Sequence, residues 1–270
     1  MRILFAGDVV GKPGRHILRE GLAKLRQEHE LDFVVANVEN AAAGFGVTPD
    51  IADQFFGMGI DVLTTGNHIW DKKEILPYLD REPRLLRPIN YPPSCPGSGR
   101  YLARTASGTP VAVLNVQGRV FMPAIDCPFQ AMERAIPLVA KEARIILVDM
   151  HGEATSEKMA MGWFLDGKVS AVVGTHTHIP TGDERVLPGG TAYITDLGMC
   201  GPFESVIGIE REASISRLVR GIPTKFETAK NDPWLNAVML DVDESTGRAR
   251  SIERIRVTER DLNGTTEHAV

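Results

Sequence analysis

The stretch Val169-Ser170-Ala171-Val172-Val173-Gly174-Thr175-His176-Thr177-His178 carries the strongest structural signal in the chain. Its first half is short, apolar and rich in β-branched residues, which predicts a buried β-strand. Gly174 ends this strand, and two histidines follow it two residues apart. Two imidazoles on one turn can face the same space, where neutral ring nitrogens bind transition metals. The stretch therefore predicts a strand whose end delivers metal ligands.

The same arrangement recurs along the chain: a short apolar run leads to a polar residue beside a glycine, and a helical segment follows. The predicted strands are residues 2–6, 33–38, 61–65, 111–116, 144–149, 169–173 and 191–195. The predicted helices are residues 14–27, 129–143, 156–165 and a segment that starts at Thr48-Pro49-Asp50. Strands that alternate with helices predict an α/β core, and such folds place their sites at strand ends.

Two regions depart from this alternation. Residues 81–99 hold five prolines and two glycines, so we expect an irregular loop there. Residues 236–242 and 249–257 flank a turn-forming segment and predict a hairpin, either as antiparallel edges of a mixed sheet or as part of a second sheet. We expect one domain over residues 1–270, with 263–270 as a frayed tail.

Composition limits the classes of partner and compartment. The net charge of -5 gives no basic field for duplex nucleic acid or an anionic membrane. Cys95, Cys127 and Cys200 are too few and too widely spaced for a disulfide framework or a thiolate zinc site. The apolar start of the chain is too short for a signal peptide, and no apolar run reaches the roughly 18 residues that span a bilayer. We therefore expect a soluble cytoplasmic protein.

Histidines collect at the predicted strand ends. Four of the seven lie there, namely His68, His151, His176 and His178, and histidines placed only for packing would not show this distribution. Carboxylates and amides occupy equivalent ends. The candidate metal ligands are Asp8, Glu39, Asn40, Asn67, His151, His176 and His178. Oxygen and imidazole ligands without thiolate suit iron, manganese or zinc.

Seven candidates exceed the needs of one tetrahedral zinc but suffice for two metals that share a bridging carboxylate. Two divalent ions and two carboxylates leave about two units of positive charge, which suits a hydroxide and a phosphate oxygen. Other nucleotide or nucleophile motifs fit poorly. The glycines at 7, 11 and 14 do not have dinucleotide-loop spacing, Gly11-Lys12-Pro13 is not a Walker sequence, and no Gly-x-Ser-x-Gly is present.

These residues resemble the calcineurin-like metallophosphoesterases, and in particular their YmdB-like branch. The general resemblance rests on Gly7-Asp8, Gly66-Asn67-His68, His151 and Gly174-Thr175-His176-Thr177-His178. The resemblance to the branch rests on Phe5-Ala6-Gly7-Asp8-Val9-Val10-Gly11, Asn37-Val38-Glu39-Asn40-Ala41, Gly66-Asn67-His68-Ile69-Trp70-Asp71, residues 151–158 and Thr195-Asp196-Leu197-Gly198-Met199. It runs over almost the whole chain.

The resemblance implies an α/β sandwich of two mixed β-sheets flanked by helices, with a dinuclear centre, commonly iron, at the strand C-terminal ends. It implies that Asp8, Asn40 and His178 hold one metal, that Asn67, His151 and His176 hold the other, and that Glu39 bridges them. His68 resembles the histidine that faces the leaving group. The implied reaction is hydrolysis of a small phosphodiester, notably 2',3'-cyclic AMP, by in-line attack of a metal-bridging hydroxide, and relatives form homo-oligomers.

The sequence departs from the general superfamily motif at two positions. Val10 replaces a histidine ligand, for which Asn40 is the expected substitute, and Ile69 replaces the acid after His68. Asp71 is a candidate to orient His68, although an exposed residue at a helix start is the preferred interpretation. Two functional alternatives remain open: a regulatory protein that binds metal and nucleotide with little turnover, and a phosphomonoesterase or 5'-nucleotidase.

Several further polar residues lie near the motifs. Arg119 is either a contact to substrate phosphate or a solvated loop residue. Glu153 and Lys158 are interpreted as a helix-start carboxylate and an exposed lysine, and Asp196 as structural. Two aromatic residues in loops, Phe45 and Phe121, are candidates for a base pocket or an oligomer interface.

Overall fold

A computed structural model describes residues 1–264 and shows a mixed α/β protein. The strands are β1 (Arg2–Ala6), β2 (Asp8–Val9), β3 (Phe33–Asn37), β4 (Val62–Thr64), β5 (Arg100–Arg104), β6 (Pro110–Gln117), β7 (Ile145–His151), β8 (Ala171–Thr175), β9 (Arg185–Val186), β10 (Ala192–Ile194), β11 (Met199–Pro202), β12 (Pro233–Val242) and β13 (Ala249–Thr258). The helices are α1 (Gly11–Glu28), α2 (Pro49–Gly57), α3 (Leu76–Leu79), α4 (Pro128–Val139), α5 (Thr155–Leu165), α6 (Arg211–Arg220) and α7 (Glu259–Leu262).

Two mixed sheets pack face to face, and helices cover their outer faces. In β1, Ile3 and Phe5 enter the core between the sheets, whereas Leu4 and Ala6 pack under α1 and α2. Successive side chains of a strand point to opposite faces, so a strand buried on both sides is apolar throughout. A third core lies between the second sheet and helices α4 and α5. The predicted sandwich of two mixed sheets flanked by helices is confirmed.

The first sheet has the order β2-β11-β12-β1-β3-β4, with β13 on the other side of β12. Strands β1, β3 and β4 are parallel, and β12 is antiparallel to β1, β11 and β13. The predicted hairpin at residues 236–257 is confirmed, but of its two strands only β13 lies at an edge of the sheet. The longer strand β12 is internal because β1 and β11 share its opposite side.

The second sheet has the order β5-β6-β7-β8-β10-β9. Its four central strands are parallel, and β5 and β9 are antiparallel edges. The carboxyl ends of the parallel strands of both sheets carry the polar residues that the sequence singled out. The two sheets therefore bring those residues to one end of the sandwich.

The predicted helices are present with small shifts in their ends. Thr48 caps α2, where its side chain accepts a hydrogen bond from the Ile51 amide, and Pro49 follows as the first helical residue. Residues 81–99 form only isolated bridges, which confirms the loop. In the described chain, no helix is long and apolar enough to cross a membrane. The one-domain prediction stays untested, and most of the predicted frayed tail lies outside the described residues.

Candidate metal centre

All eight predicted site residues lie around the ends of five strands. Asp8 follows β1, Glu39 and Asn40 follow β3, Asn67 and His68 follow β4, His151 ends β7, and His176 and His178 follow β8. Asp8, Glu39, Asn40, His151 and His178 are buried. The placement follows from topology, because parallel strands of each sheet end on the same side.

One group of candidate ligand atoms surrounds the ring of His151. Its Nε2 lies 3.0 Å from Glu39 Oε1, 3.0 Å from His176 Nδ1 and 3.2 Å from Asn67 Oδ1. Ligand atoms held by one ion at about 2.1 Å lie roughly 3.0–3.4 Å apart when they subtend tetrahedral or right angles. The spacing of this group therefore fits a single transition-metal ion.

A second group lies beside the first. His178 Nε2 is 3.3 Å from Asn40 Oδ1, and the Nδ1 of the same ring contacts the Ile207 carbonyl at 2.8 Å. If Nδ1 carries the proton and donates it to that carbonyl, the Nε2 lone pair stays free for a metal. Asp8 is adjacent, and its Oδ2 accepts the His176 backbone N–H at 3.1 Å.

Two buried carboxylate oxygens in this region lack a hydrogen bond. They are Asp8 Oδ1 and Glu39 Oε1. Glu39 Oε1 is close to His151, but the ring N–H is not aligned with it. Buried charged oxygens are normally satisfied, and a bound cation is one of the partners that can satisfy them. The donor set and these two oxygens together fit divalent metals.

The charges of the candidate ligands favour a proton on one ring, that of His151. Burial opposes charge on both Glu39 and His151, but the attraction between them prevails: it lowers the pKa of Glu39 to about 2 and raises that of His151 to about 9. Burial, and then the charge of His151, lowers the pKa of His176 to about 3, and burial also lowers that of His178. A metal that binds here would have to displace the proton of His151, whereas the rings of His176 and His178 are already neutral.

The first group has an outer layer of buried hydrogen bonds. His151 Nδ1 contacts Thr175 Oγ1 at 2.9 Å, and this hydroxyl donates to Asp149 Oδ1 at 2.6 Å. Asn37 donates to the other oxygen of Asp149 at 3.0 Å. Partners of this kind fix the orientation of a ligand ring. No motif of the sequence marks these partners. Asn37 and Asp149 lie inside predicted strands, where buried polar residues are uncommon, and Thr175 follows one.

The turn that carries His176 and His178 is strained and held from two sides. His176 has φ 104° and His178 has φ 67°, conformations that L-residues rarely adopt and that persist at functional sites. Asp8 holds the His176 amide from one side. From the other side, Asp196 Oδ2 accepts the Thr177 amide at 3.1 Å. The structural interpretation of Asp196 agrees with this position, because its carboxylate fixes the turn between the two histidines.

The interpretation of Lys158 as exposed is wrong. Its side chain is fully buried, and its ammonium donates to Asp196 Oδ2 at 2.6 Å. The ion pair therefore supports the carboxylate that holds the Thr177 amide. The sequence suggested exposure because lysine is rarely buried, and buried lysines occur only where a charge partner is available.

Replacing Lys158 by methionine is expected to lower the free energy of unfolding by about 3–5 kcal/mol, because Asp196 would stay buried without its cation. Urea denaturation measures this change. The matched control is Lys141→Met, which alters an exposed lysine and should stay within about 0.5 kcal/mol of the parent. Equal midpoints for the two variants would contradict the assigned role of the ion pair.

Gly66 leaves room for the centre. A Cβ at this position would overlap the ring of His151 and crowd the Glu39 carboxylate. The glycine of the Gly66-Asn67-His68 motif is thus required by close approach rather than by its backbone angles.

Gly66→Ala is expected to reduce turnover by about 100-fold or more, the loss that a displacement of about 1 Å at a reacting centre can cause. The fold should persist, as circular dichroism can check. Gly57→Ala is the matched control, since a Cβ there meets nothing within 4 Å and Gly57 ends α2. If Gly66→Ala kept full turnover and metal content, the close approach would have no functional consequence.

A cavity of about 420 Å³ opens above the candidate ligands. Phe45 lines it and packs edge-on against His68, with ring centroids 5.1 Å apart. His68 Nδ1 contacts Asp71 Oδ2 at 2.8 Å. Asp71 is 41% exposed, as the preferred interpretation states, but it ends a helical turn instead of starting a helix and it pairs with the histidine. Three-residue spacing in a short 3₁₀ helix, Asn67–Trp70 with Asp71 as its cap, places the two side chains together.

The remaining candidates divide between the cavity and the surface. Glu153 lines the cavity, and its Oε2 lies 3.1 Å from His176 Nε2, so a role as a mere helix-start carboxylate is too narrow. Arg119 is exposed and is not among the residues lining the cavity, which agrees with a solvated loop residue. Phe121 is 91% exposed and also lies outside the cavity lining. Of the two loop aromatics that the sequence offers, Phe45 lines the cavity and Phe121 does not.

The fold is that of a calcineurin-like phosphoesterase. The crystal structure of the calcineurin-like phosphoesterase YfkN from Bacillus subtilis superposes with a TM-score of 0.56 over 99% of this chain and 92% of that one, at 12% identity, which shows the fold. The chain belongs to the YmdB-like family, whose model, described as YmdB-like protein, matches residues 4–255.

Two relatives support this membership over nearly full length. The chain is 47% identical over 259 residues to the 2',3'-cyclic-nucleotide 2'-phosphodiesterase of Bacillus subtilis strain 168, covering 96% of this chain and 98% of the relative. A crystal structure of a novel phosphatase from Mycoplasma pneumoniae has a TM-score of 0.89 and 35% identity, covering 96% of this chain and 93% of that chain. The predicted resemblance to the YmdB-like branch is confirmed, as is the prediction of a phosphodiesterase-class enzyme.

Proposed function

We propose that this enzyme hydrolyses 2',3'-cyclic nucleotides at a centre of two divalent metals. The observation that carries the proposal is the convergence of Glu39, His151 and His176, whose ligand atoms all lie within 4.8 Å of one another beside unpaired carboxylate oxygens. The name of the Bacillus subtilis relative supports the cyclic nucleotide as substrate. Iron is the expected metal, with manganese or zinc as other ions that suit oxygen and imidazole ligands.

The ligand assignment follows the two groups of side chains. We assign one metal to Asp8, Asn40 and His178, the other to Asn67, His151 and His176, and the bridge to Glu39. The 3.3 Å contact between Asn40 and His178 supports Asn40 as the substitute for the histidine that Val10 replaces. When bound, divalent metals lower the pKa of water toward neutrality and offset charge on phosphoryl oxygens.

The chain's own residues position the cyclic phosphate and protonate its leaving group. Water adds across the bond between phosphorus and the ribose O2', in line with that bond, and yields a 3'-phosphate and a free 2'-hydroxyl. His68 supplies the proton to O2' as general acid. Asp71 accepts a hydrogen bond from His68 Nδ1 and orients the ring, which leaves Nε2 to face the substrate. Phe45 holds the ring from its edge.

The cavity walls suit a nucleoside. The polar candidate ligands line one part of the cavity, and an apolar wall is formed by Phe45, Ile207, Ile209 and Phe226. Aromatic side chains bind nucleobases by stacking without strong sequence preference. The base would therefore rest against this wall, with the cyclic phosphate over the ligands.

The deciding experiment joins metal analysis of the purified protein to a hydrolysis screen. We expect about two metals per chain and turnover of 2',3'-cyclic AMP and of bis-para-nitrophenyl phosphate, with little turnover of the monoester para-nitrophenyl phosphate. Preference for the monoester would favour a phosphomonoesterase or 5'-nucleotidase. Bound metals without turnover of any of these substrates would favour a regulatory binding protein.

We also infer that the chain forms homo-oligomers, through helix α6. Only Ser214 of this helix is buried, whereas Ile215, Leu218 and Val219 are 55%, 79% and 79% exposed. An exposed apolar stripe of this kind commonly marks a protein interface. The substitution Leu218→Glu is expected to shift the protein toward the monomer in light scattering after size-exclusion chromatography. An unchanged mass in this variant, or a monomeric parent, would contradict the inference.

A further inference from the structure

A second cavity, of about 750 Å³, lies beside the one above the candidate ligands. Residues from four parts of the chain contribute to its lining, among them Lys12, His16, Ala43, Phe226, Thr228 and Lys230. Phe226 lines both cavities. None of the proposed metal ligands lines the second cavity. It is therefore a neighbouring space that the proposed reaction does not use.

The wall between the two cavities is one loop thick. Ala43 lines the second cavity, whereas Gly44 and Phe45, the next residues, line the first. Ala43 and Gly44 have φ 58° and 93°, so the chain turns sharply here. A Cβ on Gly44, which lines the first cavity, would lie 3.0 Å from Oγ1 of Thr228, which lines the second. Groups bound in the two cavities would thus be neighbours.

The charge of the second cavity favours an anion. Lys225 is paired with Glu227 at 3.0 Å, but Lys12 and Lys230 form no salt bridge within residues 1–264. The lining holds one further carboxylate, that of Glu259. The two ammonium groups without a salt bridge therefore outnumber it. Two separate cations on one cavity are a typical arrangement for phosphate contacts.

Two further features of the lining add to this preference. The cavity meets the N-terminus of α1, which has neither a side-chain cap nor an acidic residue in its first turn. A helix N-terminus carries partial positive charge. At α1 the contribution is this dipole rather than free N–H groups, because the Gly11 N–H donates to the Asn40 carbonyl and Pro13 has no N–H. Independently, the hydroxyl of Thr228 is buried and has no hydrogen-bond partner. A rotation of the side chain toward the cavity would let this hydroxyl donate to a phosphate oxygen.

We propose that the second cavity binds the phosphodiester of an adjoining nucleotide, so that the enzyme acts on short single-stranded RNA ends that carry a 2',3'-cyclic phosphate. This inference rests on the proposed function. The cyclic phosphate occupies the first cavity, and Phe226 lies between the two nucleotides, where its ring can stack on a base. The charge of the second phosphate falls between Lys12 and Lys230. The bond that water breaks is the same as in the mononucleotide.

The test compares kcat/KM for 2',3'-cyclic AMP with that for the dinucleotide ApA ending in a 2',3'-cyclic phosphate. The metal-loaded parent should prefer the dinucleotide by about tenfold, the ratio that one hydrogen bond to a charged group produces. In the double variant Lys12→Ala/Lys230→Ala, this preference should fall to about one. Lys141→Ala removes an exposed lysine elsewhere and should leave the preference at the parent value.

The possible results separate the two proposals. A parent that hydrolyses neither compound contradicts the proposed function itself. A parent that hydrolyses both with equal kcat/KM overturns the second subsite and leaves the cyclic-nucleotide activity standing. A dinucleotide preference that survives the double variant also overturns the assignment to this cavity. A preference lost in the double variant and retained in Lys12→Arg/Lys230→Arg supports it.

Discussion

Glu39→Gln is expected to lower metal affinity by more than about 100-fold and to abolish turnover. Removal of a partner that merely orients a ligand already costs about 10–100-fold, and Glu39 is assigned as the bridge itself. The substitution keeps the shape of the side chain and removes its charge. The remaining carboxylate, Asp8, would then face two divalent ions alone. Elemental analysis gives the metal content, and thermal stabilisation on addition of metal gives a second readout that is independent of activity.

A graded series controls for the charge change. Glu133→Gln alters an exposed carboxylate on α4 and should change neither metal content nor turnover. Glu153→Gln should weaken metal binding by about tenfold, since Glu153 contacts His176 from the outer side. Full metal content in Glu39→Gln would remove this residue from the ligand set, whatever its effect on turnover.

The positions of the site residues could be predicted from the sequence because they depend on local features. A strand, a glycine and a polar residue recur, and parallel strands bring such ends together in any topology of this class. Helix α2 likewise follows from Thr48 and Pro49, which determine its start. These inferences need no knowledge of which strands are neighbours.

The errors concern partners that lie far apart in sequence or that depend on exact backbone geometry. Lys158 is buried because Asp196, from the loop after β10, reaches it, and no periodic pattern records that meeting. Asp71 reaches His68 because the segment between them is a tight 3₁₀ helix rather than the start of an ordinary helix. Strand β12 is internal because its ten residues accommodate β1 and β11 in succession along one side.

The second cavity could not be predicted from the sequence either. The sequence around Lys12 is not a phosphate-binding loop, because its glycine spacing does not match one. Its role as a cation beside Lys230 depends on α1 starting next to a segment more than 200 residues later in the chain. Sequence motifs report local loops, whereas a cavity of this kind is assembled by the fold.

His68→Ala is expected to retain both metals and to lose about 10²–10⁴-fold in turnover of 2',3'-cyclic AMP, the usual contribution of a general acid. Metal retention follows from geometry: Glu39 Oε2 accepts the backbone N–H of His68 at 3.0 Å, and alanine keeps that N–H. Only the imidazole and its contact with Asp71 are removed. Steady-state kinetics alongside elemental analysis measures both effects.

The identity of the leaving group distinguishes proton donation from a general loss of binding. Para-nitrophenolate departs without a proton, so His68→Ala should lose far less turnover of bis-para-nitrophenyl phosphate than of the cyclic nucleotide. His29→Ala, at the distant end of α1, is the control and should match the parent on both substrates. An equal loss on both substrates would mean that the imidazole acts on phosphoryl charge rather than on O2', and parental rates on both would remove His68 from the mechanism. Because Asp71 orients the ring that donates this proton, Asp71→Asn should show the same dependence on leaving group in weaker form, which a residue with a purely structural role would not produce.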